Sequence, residues 1–268
     1  MDLGLKGRRC VVTGASRGIG RAVAEGLAAE GADVLLVARD EKALEQAVAA
    51  VLYAAAPGVT VEGLSADVTA HGAGETVVEA CVGRLGGIDV LVNNAGTTDK
   101  VPLAELTEAD WELQWQLNVR GPDRLMHAAA PRMAAGGWGR IVNVTSSSGK
   151  RPSARNVAYS VTKSAQLALS RAYADAWASQ GVLVNAVAPG PVGTGLWLDP
   201  GGILDQEAAA RGTDRDGALA AAGARLPRGT IAEPHEIADA VVFLCSERAA
   251  NVVGAAWSVD GGAVPSFI

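Results

Sequence analysis

Apolar positions along this chain fall into two patterns that alternate from one end to the other. Short runs that read as strands, most of them largely apolar, occupy residues 9–13, 34–37, 60–64, 90–93, 141–144, 182–187 and 256–259. Val34 to Val37 is too continuously apolar for a half-exposed strand and predicts one covered on both faces, as a parallel sheet requires. Between these runs, at 21–30, 41–55, 74–85, 110–133, 157–179 and 236–245, lie stretches that read as helices. In the first of these Val23, Ala24 and Leu27 share one face and Gly31 supplies the stop. The alternation runs to the end without a linker or a shift in composition. The expected fold is therefore α/β, a doubly wound and mostly parallel sheet of seven strands flanked by helices, in a single domain over 1–268. Only the segment at about 195–229 breaks the rhythm. It is rich in glycine, alanine and charge and longer than an ordinary connection, which predicts a lid or binding loop.

The strand ends carry the candidate chemistry. The first strand runs into Gly14-Ala15-Ser16-Arg17-Gly18-Ile19-Gly20, with a helix starting inside that loop. Glycines there let the backbone approach a pyrophosphate, which the N–H groups and the positive end of the helix dipole would face. After the second strand, Arg39 precedes Asp40. A guanidinium at that place suits a 2′-phosphate, with Arg17 as a second cation, so NADP(H) is favoured over NAD(H). Asp40 either turns toward a ribose or caps the helix beginning at Glu41. Asp67 and Val68 follow the third strand, where the aspartate either meets an adenine edge or closes an Asx turn.

Tyr159 and Lys163 lie four apart on a predicted helix and so share a face. A phenol ordinarily titrates near about 10, and a neighbouring ammonium favours the phenolate. Thr145-Ser146-Ser147-Ser148 ends the fifth strand, so a hydroxyl there could join the pair in binding and protonating a carbonyl oxygen.

Composition narrows the class. Hydrophobic residues make up 49% of the 268 and charged ones 19%, ample for a large core, and the net charge of −6 offers nothing to nucleic acid. Cys10, Cys81 and Cys245 are far apart, without metal-ligand spacing, and read as buried reduced thiols. The first residues lack the apolar core of a signal peptide, and no run nears the roughly 18 residues of a membrane span, so a soluble, cytoplasmic protein is expected. His71, His127 and His235 form no ligand or triad pattern, and metal is not expected.

Taken in order, these motifs resemble the short-chain dehydrogenase/reductase family, in its soluble single-domain branch. Thr13 through Gly20 is similar to its cofactor motif, Asn93-Asn94-Ala95-Gly96 to its fourth-strand motif, and Ser146, Tyr159 and Lys163 to its serine and Y-x-x-x-K signature with thirteen residues from serine to tyrosine. Asn118 stands at the place of its active-site asparagine, Pro189-Gly190-Pro191-Val192-Gly193-Thr194 resembles the segment facing the nicotinamide, and Val259 to Gly262 its closing strand. The resemblance covers nearly the whole chain and is strongest to 3-oxoacyl-[acyl-carrier-protein] reductase-like members. It implies a Rossmann fold and an NADP(H)-dependent oxidoreductase interconverting a ketone or 3-oxoacyl carbonyl and a secondary alcohol. The alternatives are an NAD-dependent alcohol or sugar dehydrogenase, or a dinucleotide-binding sensor without catalysis.

By the same resemblance Tyr159 is the general acid/base, and Lys163 lowers its pKa and holds the nicotinamide ribose. Ser146 polarises the carbonyl, and Asn118 fixes a water between Lys163 and solvent. A homo-oligomer, tetramer or dimer, is implied as well, with its interfaces on the long fourth-to-fifth helices and on the closing strand. Two departures stand out: the segment at 195–229 is longer than in typical acyl-carrier reductases, and Asn251 occupies a position that is commonly aromatic. Several alternatives stay open. Ser147 and Ser148 are spare hydroxyls, Asn118 could be a structural amide, and Thr194 could cap the lid. Trp197 could touch substrate, whereas Trp111, Trp115, Trp138, Trp177 and Trp257 read as core or interface. Arg211 and Arg215 either meet an acidic substrate or are solvated.

Overall fold

In the computed structural model, which describes residues 1–98 and 101–265, all seven predicted strands form and lie parallel in one sheet. They are β1 (Arg9–Thr13), β2 (Asp33–Ala38), β3 (Val61–Ser65), β4 (Val90–Asn93), β5 (Gly139–Val144), β6 (Val182–Pro189) and β7 (Ala256–Val259). Their order is β3-β2-β1-β4-β5-β6-β7. The chain thus winds outward from β1 in one direction, returns, and winds outward from β4 in the other. Crossovers from either side of that switch leave a crevice beyond the carboxyl ends of the strands, where such sheets bind ligands.

Helices α1 (Gly18–Ala29), α2 (Glu41–Ala54), α3 (Ala73–Leu85), α4 (Glu108–Trp115), α5 (Gly121–Ala135), α6 (Ser147–Lys150), α7 (Val157–Trp177), α8 (Gly195–Leu198), α9 (Ile203–Arg211), α10 (Arg215–Gly223) and α11 (Pro234–Cys245) connect them. Alternate residues of each strand serve opposite faces. Cys10, Val12, Val34 and Leu36 pack with Val23 and Leu27 of α1 and Ile237 and Val241 of α11. Val11, Leu35 and Val37 pack on the other face with Val77 and Cys81 of α3 and Leu125 and Met126 of α5. This two-sided covering is why a central strand such as β2 reads as an unbroken apolar run, whereas the edge strands β3 and β7 are only partly buried. The three cysteines are buried free thiols, and burial raises the pKa of each.

Two expectations need correction. The helical stretch 110–133 is not one regular helix: α4 and α5 are joined by a wider π turn at Gln116–Arg120. Such turns project one extra residue out of the helical register and occur often at functional sites. The segment 195–229 is not bare loop either, because α8, α9 and α10 form within it, and Leu204, Ala208 and Ala218 make a small core of their own.

Candidate active site

β1 delivers the chain into the glycine loop at the switch point. Gly14 has φ +63, and a Cβ there would sit 2.8 Å from Ala95 Cα. A Cβ on Gly20 would lie 2.4 Å from both the Gly14 carbonyl oxygen and Asn94 Nδ2. The loop can therefore fold back on the first turn of α1 only if that position is glycine. Asn94 fastens the arrangement, its Nδ2 donating to the carbonyls of Thr13 (3.0 Å) and Gly14 (3.1 Å). Arg17 is the N-cap of α1 and makes no side-chain cap bond, so the helix amides face the crevice. Gly20→Ala should destabilise the fold by about 1–3 kcal/mol and weaken dinucleotide binding. Denaturant melts and a fluorescence titration with NADPH check this, and wild-type behaviour in both would contradict the packing described.

At the far end of β2 the two readings of Asp40 separate. Its carboxylate accepts the Ala43 N–H at 2.9 Å and caps α2, leaving Arg39 as the charged side chain on the crevice wall without that duty. Asp67 accepts both the backbone N–H (2.9 Å) and the hydroxyl (2.7 Å) of Thr69 through Oδ1, forming the Asx turn while still lining the crevice. Burial works to raise its pKa, but the Thr69 hydrogen bonds and the field of Arg39 leave it lowered.

The residues that the family resemblance assigns to the carbonyl meet on the other half of the crevice. Ser146 is the N-cap of α6, and its Oγ accepts the Ser148 N–H at 3.0 Å, which leaves the hydroxyl proton free to donate. Tyr159 and Lys163 face it from the first turns of α7. Lys163 Nζ donates to the Val144 carbonyl at 3.0 Å and to Gln166 Oε1 at 2.9 Å, and lies 5.6 Å from the centre of the Tyr159 ring. Burial brings the ammonium down to about 7. The phenol, expected to be lowered by that ammonium, is instead raised: burial pushes it up, and hydrogen bonding with Ser146 offsets this only in part. The main cause is the burial of the phenol itself. The neighbouring ammonium turns its contacts to Val144 and Gln166.

Asn118 sits on the π turn with 0% exposure. Its Nδ2 donates to Gln114 Oε1 (2.7 Å) and Thr162 Oγ1 (3.1 Å), whereas its Oδ1 is a buried acceptor without a protein donor. A Cβ on Gly96 would lie 3.6 Å from that oxygen and 3.7 Å from Lys163 Nζ, so both atoms border the same small space over Gly96. The amide therefore has one structural side and one side left to accept, as a relay beside Lys163 would need.

The crevice has a volume of about 1150 Å³, beyond the roughly 300–1,000 Å³ of an ordinary small-molecule pocket. Gly14, Ser16, Arg17, Gly18, Ile19, Arg39, Asp67, Val68, Asn94, Ala95, Gly96, Ser146, Tyr159, Lys163, Pro189, Gly190, Val192 and Thr194 all line it. Of the predicted site residues only Gly20 and Asn118 stand behind its wall. Thr194 is the N-cap of α8 but makes no side-chain cap bond, so its hydroxyl is not spent on capping. Trp197 lines the crevice half-buried. Arg17 Nη1 is 3.4 Å from Asp199 Oδ2 beyond α8. Arg211 and Arg215 do not line it, since Arg211 pairs with Glu207 on its own helix and Arg215 with Asp205 and the Leu198 carbonyl. No group of three metal-ligating side chains exists among the described residues.

Sequence reasoning passed over Gln114, Gln166, Arg155, Glu207 and Arg225. The glutamines lie inside helices where nothing but a polar residue on an apolar face marks them. Glu207 and Arg155 are 52 residues apart, and no local pattern joins them.

Known proteins carry the same arrangement of chain. A family model described as enoyl-(acyl carrier protein) reductase matches residues 14–264. The 3-oxoacyl-[acyl-carrier-protein] reductase of Aquifex aeolicus is 34% identical over 265 residues, 98% of this chain and 99% of that one. Galactitol 2-dehydrogenase of Agrobacterium fabrum is 34% identical over 260 residues, covering 96% and 98%. L-Sorbose reductase of Gluconobacter frateurii, solved with NADPH and L-sorbose, superposes with a TM-score of 0.93 at 35% identity over 100% of both chains.

Proposed function

Because this chain belongs to the short-chain dehydrogenase/reductase family, NAD(P)-dependent oxidoreductases acting on CH–OH and C=O groups, we propose that it is an NADP(H)-dependent enzyme interconverting a ketone and a secondary alcohol. The convergence of Ser146, Tyr159, Lys163 and Asn118 on one half of a dinucleotide-sized crevice carries the reading. It also sets aside a non-catalytic sensor, which has no use for that set. When bound, the dinucleotide supplies or accepts hydride. The glycine loop would hold its pyrophosphate and Arg39 its 2′-phosphate, while Lys163 would hold the nicotinamide ribose and Thr194 the carboxamide. Asp40 occupied as a cap supports this choice over the NAD-dependent alternative.

The protein's own groups do the proton work. Ser146, with its lone pair committed to the Ser148 amide, donates to the carbonyl oxygen and holds it beside the Tyr159 hydroxyl. As negative charge grows on that oxygen, Tyr159 delivers a proton, and two donors aimed at the same atom stabilise the transition state. Lys163, with a water held on the open acceptor of Asn118, would carry the replacement proton in from solvent.

A phenol held above its ordinary value is protonated at neutral pH and can give a proton but not take one. Carbonyl reduction should accordingly be insensitive to pH near neutrality, whereas alcohol oxidation should rise by about tenfold or more between pH 7 and 9. Initial rates in both directions across that range check the sign. Oxidation that is fastest below pH 7 would contradict it.

The segment 195–229 serves in this reading as the lid over the carbonyl site. Trp111, Leu113 and Trp115 on α4 and Val161 on α7 are exposed, and we assign them to a homo-oligomeric interface. Sedimentation should give a dimer or tetramer that Trp115→Glu weakens, and a monomeric wild type would refute the assignment. Three unpaired thiols support a reducing, cytoplasmic setting, and among the described residues no helix is long and apolar enough to cross a membrane.

A further inference from the structure

The carbonyl end of the crevice has a polar wall that the proton chemistry does not use. Arg155, four residues before Tyr159, lies on it together with Glu207 of α9 and Arg225 beyond α10. Glu207 is only 5% exposed. Its Oε1 accepts from Arg155 Nη2 at 2.8 Å, its Oε2 accepts from Arg211 Nε at 3.2 Å, and Arg225 Nη2 stands 3.8 Å from the same oxygen. A carboxylate out of water stays charged only where cations and hydrogen bonds surround it, and here three guanidinium groups do so. The cluster is thus locally positive in a chain whose net charge is −6.

The guanidinium side chains of Arg155 and Arg225 keep 52% and 53% of their surface open, although the carboxylate they flank is buried. Each fork has five N–H donors, so donors remain beyond those turned to Glu207. An acyl chain laid along this wall would strip water from those donors and give nothing back. A chain of hydroxyls would satisfy them, because each hydroxyl accepts from guanidinium N–H. A site built to hydrogen-bond substrate hydroxyls rejects analogues without them far more strongly than an apolar pocket discriminates by size.

We propose that Arg155, Glu207 and Arg225 form a polar subsite selecting polyhydroxylated carbonyl substrates, ketoses and their polyols, over 3-oxoacyl chains. The proposal rests on the carbonyl–alcohol reading and names its substrate class. The pair also ties α9 to the loop before α7, so selection and lid placement come from the same side chains. A structural tie alone would affect all substrates alike, and the test separates the two.

NADPH oxidation is followed with L-sorbose, 5-keto-D-gluconate, ethyl acetoacetate and acetoacetyl-CoA in the wild type, Arg155→Met and Glu207→Gln, each first shown to melt cooperatively and bind NADPH. In the wild type kcat/KM for one of the two hydroxylated ketones should exceed that for acetoacetyl-CoA by about 100-fold or more. A lead for the ketogluconate would mean that the surplus guanidinium charge reads a terminal carboxylate, and a lead for sorbose that hydroxyls suffice. In both variants the ratio of kcat/KM for the hydroxylated ketone to that for ethyl acetoacetate should fall by about tenfold or more, mostly through KM. An unchanged ratio, or a preference of the wild type for acetoacetyl-CoA, overturns the subsite while leaving the carbonyl reading intact. A wild type that turns over none of the four, ethyl acetoacetate included, overturns both.

Discussion

Tyr159→Phe should lower turnover by about 10²–10⁴-fold, the range that a positioned general acid contributes, while NADPH binding stays close to wild type. The substitution removes one oxygen from a residue whose neighbours are otherwise fixed. Lys163 keeps its bonds to Val144 and Gln166, and Ser146 keeps its bond from the Ser148 amide. The glycine-loop end of the crevice is built on Gly14, Gly20 and Asn94, and its contacts do not include the phenol. Binding and chemistry should therefore come apart cleanly. Steady-state kinetics beside a fluorescence titration read both, and a variant with more than a tenth of wild-type kcat would remove Tyr159 from the proton-transfer role.

Arg39→Asp should invert the dinucleotide preference. A hydrogen bond to a charged group contributes about 1.5–3 kcal/mol, and replacing the cation by an anion adds repulsion to its loss, so the NADPH-to-NADH ratio of kcat/KM should fall by about 100-fold or more. The effect is confined to this side chain because Asp40, the other charged residue at the β2 end, is already committed to the Ala43 amide as the cap of α2. Arg17 is a weaker second cation, exposed and drawn toward Asp199. A ratio that does not move in Arg39→Asp would show that the 2′-phosphate is recognised elsewhere.

Much of the fold was legible in the sequence because its sheet is covered on both faces. Val34 to Val37 must be apolar at every position, and no half-exposed alternation was there to confuse strand with loop. The glycine loop was legible for a different reason, since a Cβ at Gly20 would collide with the Gly14 carbonyl and the spacing of glycines records that constraint. What stayed hidden depends on tertiary contact. The π turn at Gln116–Arg120 leaves the helical periodicity almost undisturbed, yet it decides that Asn118 turns inward. The two readings of Asp40 differ only in side-chain direction. The pairing of Arg155 with Glu207 joins a loop to a helix of the segment 195–229, and each residue alone looks like ordinary surface charge. The direction of the Tyr159 shift was inverted for a related reason: sequence shows that an ammonium is near but not that the phenol is itself buried.

The most direct test of the central claim follows the transferred hydrogen. Wild-type protein is given NADPH carrying deuterium at the reactive C4 position, in each stereochemical form, together with a ketone it reduces, and the product alcohol is analysed by mass spectrometry and NMR. One deuterium on the carbinol carbon from one of the two forms, lost in Tyr159→Phe, is the result expected. NADPH that binds but delivers no deuterium to any carbonyl carbon would contradict the account.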